Sequence, residues 1–496
     1  MQKFDVVIVG SGLGGLLCAN ILSKEGYRVC IVEKNHKLGG SLQTFGRKAC
    51  FFNTGLNYTE SLDEGQILNQ YFRYFGLMDK LKLRRLDNDG FELISFNNGN
   101  YKFAMGHDHF ADTLAKQFPH EREGLNKYVK TIRHICQSFP LYTLSDFQPN
   151  MYNNEYIGIG AVNYIRSVIS DTRLQNVLAG NNMLYAGVEN KTPLFVHSLI
   201  NSSFIESAWR LVDGSHQLVN ILADNIKQNG GTIFTNSEVK KFIFETDNLK
   251  YVQVDNEEQI EGRYFISNMH PEQTLAMLEP GKIKKAFLTR IKSLDDSMGM
   301  FTMYIVFKKE MFPYLNYNFY HFNQDNTWVA GEYNPEKWPQ NYLLMTTANS
   351  KSEIYADGCS IITYMAYGEM AKWEHTSVEN RGDDYQDYKR RKAEKLIDNV
   401  ERQFPGIRSC IASYYTSTPL TWRDYTGTRA GSAYGVLKDF NRPMESFILP
   451  RTKIANLFLT GQNINIHGIL GVTISSVLTC AELIDIKHLV NKIKNA

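Results

Sequence analysis

The chain has no CxxC cysteine pair. Its seven cysteines are scattered and odd in number, which excludes a zinc ribbon, a redox dithiol and a disulfide framework. The expected compartment is therefore reducing, and no metal site is expected. Bulk charge is missing too. A net charge of +2 over 496 residues gives no reason to expect a nucleic-acid partner. No charged leader precedes the first apolar run, which opens at Phe4, so the expectation is a cytoplasmic protein without a signal peptide. From Ile454 to Ala481 there is no Lys, Arg, Asp or Glu, a stretch long enough to span a bilayer. However, Gly461-Gln462-Asn463-Ile464-Asn465-Ile466-His467-Gly468 lies inside it and would strand amides and an imidazole in lipid. The stretch reads instead as buried strand, polar loop and buried helix.

What is present is the composition of a folded chain, 43% hydrophobic and 21% charged, at a length that suits two domains rather than one core. The most informative segment comes first. Asp5-Val6-Val7-Ile8-Val9 is a β-branched run that suits a strand buried on both faces. It runs into Gly10-Ser11-Gly12-Leu13-Gly14-Gly15, followed by an amphipathic stretch, Leu16 to Lys24. Gly26 breaks that helix, and Val29-Cys30-Ile31-Val32 leads a second strand into Glu33. Strand, glycine turn, helix, strand and acid, with the acid roughly 20 residues after the glycines, form a dinucleotide-binding βαβ unit. In it Gly10 allows the turn, Gly12 lets backbone amides approach a pyrophosphate, and Gly15 lets helix and strand pack closely. The helix start, at Leu13 and Gly14, offers unpaired amides and a positive dipole end to phosphate. Glu33 would accept the ribose hydroxyls.

Beyond Glu33 and Lys34 the chain has Gly39-Gly40-Ser41, where more backbone can approach a long cofactor. Here it resembles the flavoprotein superfamily of amine oxidases, phytoene desaturases, carotenoid isomerases and retinol saturases, whose members line FAD with a GG segment after the acid. Most members have Arg after the pair, whereas this chain has Ser41. The resemblance continues at Phe52-Asn53-Thr54-Gly55-Leu56-Asn57, with Asn53 and Asn57 in place of the usual Asp and His. It is also seen at Val239, whose equivalent holds adenine through its backbone, and at Ser267-Asn268-Met269-His270-Pro271. Late in the chain, Thr418-Pro419-Leu420-Thr421 with Gly431 and Gly435, then Leu457-Phe458-Leu459-Thr460-Gly461, match further family segments. It implies an α/β fold with a Rossmann-like FAD-binding domain and an interleaved α+β substrate domain. The expected division is 1–75, 206–290 and 440–496 for FAD, and 76–205 and 291–439 for substrate.

The remaining chain supplies candidates. Helical stretches at Phe110 to Phe118, Gly124 to Phe139 and Leu174 to Ala179 alternate with aromatic segments holding Tyr152, Tyr156, Tyr164 and Tyr185, and Tyr385 to Phe404 reads as a highly charged, solvent-facing helix. Met300 to Phe307 reads as an alternating strand in a sheet that floors a cavity for a hydrophobic small molecule. After Gly461 and Gln462, a helix opening at Gly468, with Leu470 and Gly471, would point its first amides at the flavin pyrimidine. Lys80-Leu81-Lys82-Leu83-Arg84-Arg85 reads as a solvated basic face, with peripheral membrane contact as its alternative. The implied function is FAD-dependent hydride exchange across a CH–CH or C=C bond of a polyene or isoprenoid. Its proton would come from His467, Tyr58 or Tyr425. A nicotinamide coenzyme, NAD(P)H, could dock transiently as electron donor. The alternatives are a flavin amine oxidase and, without enzymatic activity, a lipid-binding protein like the GDP-dissociation inhibitors.

Overall fold

The architecture is that of a computed structural model, which describes residues 2–48, 50–145 and 155–496. Tyr152 lies outside them. Strand β1 (Gln2–Val9) enters a glycine turn, helix α1 (Leu13–Lys24) follows, and β2 (Val29–Val32) returns beside β1 in parallel. Every residue of β2, and Val6 to Val9 of β1, is buried. That is why these segments read as unbroken β-branched runs instead of alternating ones.

Three strands from distant parts of the chain complete this sheet. They are β3 (Thr232–Phe234), β4 (Gln259–Ser267) and β5 (Leu457–Leu459). Their parallel order is β3-β2-β1-β4-β5, and an antiparallel pair, Val239–Glu245 with Asn248–Val254, extends the edge at β4. Helix α2 (Gly468–Cys480) leaves β5 and packs on α1, buried from Ile469 to Cys480. The uncharged stretch Ile454–Ala481 is therefore divided between β5, a loop and α2. Among the described residues no helix is long and apolar enough to cross a membrane.

A second, seven-stranded sheet contains Glu92–Phe96, Gly99–Phe103, Met300–Phe307, Asn318–Phe322, Asn341–Thr346, Gly358–Tyr364 and Ile411–Ser417. Its two faces separate by the period of the pleat. Met300, Tyr320, Leu343, Met345 and Tyr364 belong to one apolar cluster, and Phe301, Met303, Phe319, Leu344 and Ile361 to another. The second face is covered by the helix Asp383–Gln403, which buries Leu396, Ile397 and Val400 under an otherwise charged surface. Met300–Phe307 is consequently buried at every position, not alternately exposed as an open floor would be.

Several helices fall outside the stretches read as helical, Leu194–Glu206 and Ala161–Val168 among them. Leu194–Glu206 is apolar all round and buried along nearly its whole length, so it presents no stripe to detect. The basic run ends in a short strand, Leu83–Arg85, and three of its cations are paired: Lys82 with Asp213, Arg84 with Glu353 and Arg85 with Asp63.

Candidate active site

The turn after β1 and the loop before α2 are built against each other. A Cβ placed on Gly15 would lie 2.1 Å from the Gly10 carbonyl oxygen, so only glycine lets α1 start this close to β1. A Cβ on Gly14 would come within 2.9 Å of Gly461 backbone, and the Ser476 hydroxyl of α2 donates to the Gly14 carbonyl at 3.4 Å. The Gly39 amide donates to the Ser11 carbonyl at 3.1 Å, and Gly39 and Gly40 both take positive φ, +108° and +54°. The second glycine pair is thereby laid over the first turn.

Glu33 ends β2 and is buried. Its carboxylate accepts from the Ser11 amide and hydroxyl, at 2.9 and 2.7 Å, and from the Asn35 amide at 2.8 Å. A carboxylate has about four acceptor positions, so capacity remains for a hydroxyl donor. Asn268, at the end of β4, projects its amide into the middle of the glycine turn. An added Cβ at Gly12 would meet its nitrogen at 2.7 Å.

These groups line one continuous cavity of about 1020 Å³. Gly10, Gly12, Leu13, Gly14, Glu33, Lys34, Gly39, Gly40, Ser41 and Val239 lie at one end, with Gly461, Gln462, Gly468 and Gly471 also on its wall. The other end is apolar: Phe204, Met300, Leu343, Met345 and Ile362, with Tyr58, Tyr434 and His467. Gly15 and Leu470 stand outside the lining and act through packing. A backbone cradle that any Cβ would fill, beside a buried acceptor, fits the phosphates and ribose of a dinucleotide, and the apolar end fits a hydrophobic molecule.

Residues 13–484 match the family described as flavin containing amine oxidoreductase. The chain belongs to that family. It is 24% identical to human all-trans-retinol 13,14-reductase, over 100% of this chain and 87% of that protein. It is 22% identical to prolycopene isomerase 1 of an Oncidium hybrid cultivar, over 97% of this chain and 83% of that protein. Its fold resembles an oxidoreductase from Methanosarcina mazei, with a TM-score of 0.64 at 14% identity over 96% and 99% of the two chains. The protein is thus a flavin-dependent oxidoreductase, which sets aside the non-enzymatic alternative.

Three expectations for this flavoenzyme need correction. The Leu470 amide does not face the cavity; it donates to a Glu60 carboxylate oxygen at 3.2 Å. Glu60 is buried, lines the cavity, and has its pKa raised by desolvation. Tyr425 is 45% exposed at the cavity's mouth, where its carbonyl accepts from Asn35 beside Lys34 and Glu33. It belongs to the ribose end, far in function from proton transfer.

His467 does reach the cavity, as the residue preceding α2, with its ring 4.6 Å from that of Tyr434 and its Nε2 unpartnered. Burial and the nearby Lys438 charge hold its pKa down to about 4. Its other contact, to the Leu184 backbone, favours the charged ring, so that backbone group is an acceptor. The neutral ring therefore donates there and leaves Nε2 as an acceptor. Such a group can orient a substrate hydroxyl; it is not poised to give up a proton. Lys438, itself buried, donates to the carbonyls of Ser446, Asn463 and Ile464 at 2.9 to 3.2 Å and pins the loop that carries His467.

Tyr58 is buried, and its hydroxyl donates to Glu92 at 2.5 Å. Glu60, Asn268, Lys438 and Glu92 were not among the site residues read from sequence. Glu92 left a usable signal: a lone acid in the otherwise apolar Phe91-Glu92-Leu93-Ile94. Among the described residues no cluster of His, Cys, Asp and Glu is arranged to hold a metal.

Proposed function

We propose that this flavoenzyme binds FAD and exchanges hydride across a carbon–carbon bond of a hydrophobic polyene or isoprenoid. The observation that carries the reading is the single cavity in which a dinucleotide cradle opens directly onto an apolar wall. The relatives named for retinol reduction and prolycopene isomerisation support the substrate class.

The glycine turn, Gly39-Gly40-Ser41 and Glu33 would hold the phosphates and ribose, and Val239 the adenine. Bound FAD supplies reversible hydride exchange at its N5. This chain contributes alignment and dryness. Phe204 and the sheet face bearing Met300, Leu343 and Ile362 seat an extended apolar chain and exclude water from it. His467 accepts a hydrogen bond through Nε2, which suits a substrate carrying a hydroxyl.

The test is incubation of the holoenzyme with retinoids, carotenoids and amines, with products weighed by mass spectrometry. A polyene that gains or loses two hydrogens, or returns as a geometric isomer, is the expected product. Deaminated amines with untouched polyenes would assign the enzyme to amine oxidation instead.

A further inference from the structure

The face of the second sheet that meets the cavity carries polar groups that packing does not require. Glu92 and Tyr320 are wholly buried, and Asn181 nearly so. The Tyr58 hydroxyl lies 2.5 Å from Glu92 Oε1 and 2.6 Å from the Tyr320 hydroxyl, while the Asn181 amide donates to Glu92 Oε2 at 3.0 Å. Around them is hydrocarbon: Ile94, Met183, Phe204, Met300 and Leu343 share one cluster with both tyrosines. Burying a carboxyl in such a place costs free energy that neighbouring methyl groups do not return.

The register explains how the group assembles. Asn318 pairs with Glu92 and Tyr320 with Ile94, so Glu92 and Tyr320 lie on the same face of adjacent parallel strands. Of the three hydrogen-bonded side chains, Tyr58 alone lines the cavity. Its ring packs 4.7 Å from Phe204, another cavity residue. A carboxyl sealed from solvent thus reaches the substrate chamber through one phenol.

We propose that Glu92 and Tyr58 form the proton relay of this enzyme, with Tyr58 as the catalytic donor to substrate and Glu92 as the proton store behind it. The relay rests on the functional reading above. In the reducing direction the π pair of the double bond takes the Tyr58 Oη proton at one carbon. The neighbouring carbon receives the hydride, with its electron pair, from the bound reduced flavin. Tyr58 Oη is made whole by the Glu92 carboxyl proton, leaving Glu92 as a carboxylate that is reprotonated through Tyr58 from water entering the cavity after product leaves. Desaturation runs the same transfers backwards, with Glu92 ending as the acid. Tyr320 and Asn181 hold the carboxyl in place as positioning residues.

Burial holds the Glu92 pKa up to about 7, against the three hydrogen bonds that lower it, so both protonation states are within reach. The titratable groups that face it are the phenols of Tyr58 and Tyr320, with Tyr185 beyond them. No salt bridge among the described residues engages it.

The relay is tested in the full-length holoenzyme with Tyr58→Phe and Glu92→Gln, both close in shape to the native side chains. Flavin absorbance should show both variants fully loaded. Infrared difference spectra between about pH 5 and about pH 9 should show a protonated-carboxyl band that Glu92→Gln removes. Reoxidation of the reduced flavin by polyene should slow about a hundredfold in Tyr58→Phe. In wild type it should fall as pH rises through about 7, and Glu92→Gln should flatten that fall. A band that survives in Glu92→Gln, or variants that keep the wild-type rate and pH profile, overturns the relay alone. Wild-type holoenzyme that leaves every polyene unchanged, with its flavin oxidised or reduced, overturns the functional reading, and the relay with it.

Discussion

At Gly12 a Cβ would meet the Asn268 amide at 2.7 Å, and a larger side chain would fill the cradle where the turn faces the cavity. Gly12→Val should therefore fold and purify without flavin, checked by the absorbance ratio of cofactor to protein; a yellow, stoichiometric variant would contradict the cradle. His467 is neutral above about pH 5, since burial and Lys438 hold its pKa near 4. His467→Gln should leave FAD bound and the limbs of the pH–rate profile unmoved, with any loss confined to KM for hydroxylated substrates. A limb that vanished with His467 would restore it as the titrating group. The two residues differ in how far sequence alone could take them. The glycine at 12 is legible from the glycine spacing around it, although the Asn268 amide that crowds it comes from a distant strand end. The protonation of His467 is set by Lys438 and Leu184, which only the fold brings near.

Among elements, α1 and β1 depend on an approach that only a missing Cβ permits. Gly15→Ala puts a methyl group 2.1 Å from the Gly10 carbonyl oxygen, and that neighbour is backbone, which cannot rotate away. The expected outcome is loss of flavin together with a fall in Tm; a variant with wild-type Tm and full flavin would show the contact to be dispensable. The helix Pro419–Thr426 offers a milder case. Its Thr418 cap accepts from the Leu420 amide and pairs with the Tyr385 hydroxyl. Thr418→Ala should cost about 1 kcal/mol in denaturant unfolding, with no change in flavin content. Elements with a strong period, such as Asp383–Gln403, were legible because one face is charged. Leu194–Glu206 was not, since burial on all sides erases the stripe. Glu92 shows in sequence as a lone acid in an apolar run, but its partners are hidden, because Tyr58, Asn181 and Tyr320 come from three separate segments.

Taken whole, the molecule buries several titratable groups whose protonation differs between folded and unfolded chains. His197, between the Tyr128 and Tyr185 hydroxyls at 2.7 and 2.8 Å, is pushed down to about 3, and His467 to about 4, from 6.5. Below pH 6.5 the unfolded chain binds protons that these rings refuse, so each lowers stability by at most about 1.4 kcal/mol per pH unit. Glu92 has the opposite sign, its pKa being raised from 4.5 to about 7. The folded chain keeps a proton there that the unfolded chain loses, so its contribution falls as pH rises from 4.5 through 7. His107 and His321 are likewise held down to about 4, and Glu60 and Glu206 are raised by burial, so four imidazoles stand against three carboxyls; urea-unfolding free energies should fall from pH 6.5 towards 4.5, and a flat or rising trend would contradict the buried neutral rings. Function at this scale depends on chain ends that meet: the turn after β1 and the helix after β5 share one cavity with the second sheet. Anaerobic mixing of the holoenzyme, with its flavin oxidised and separately with its flavin reduced, with polyenes and with amines tests that arrangement most directly. The account predicts a polyene that is reduced, desaturated or isomerised and oxidised flavin that amines do not bleach, whereas bleaching by amines with every polyene untouched would contradict it.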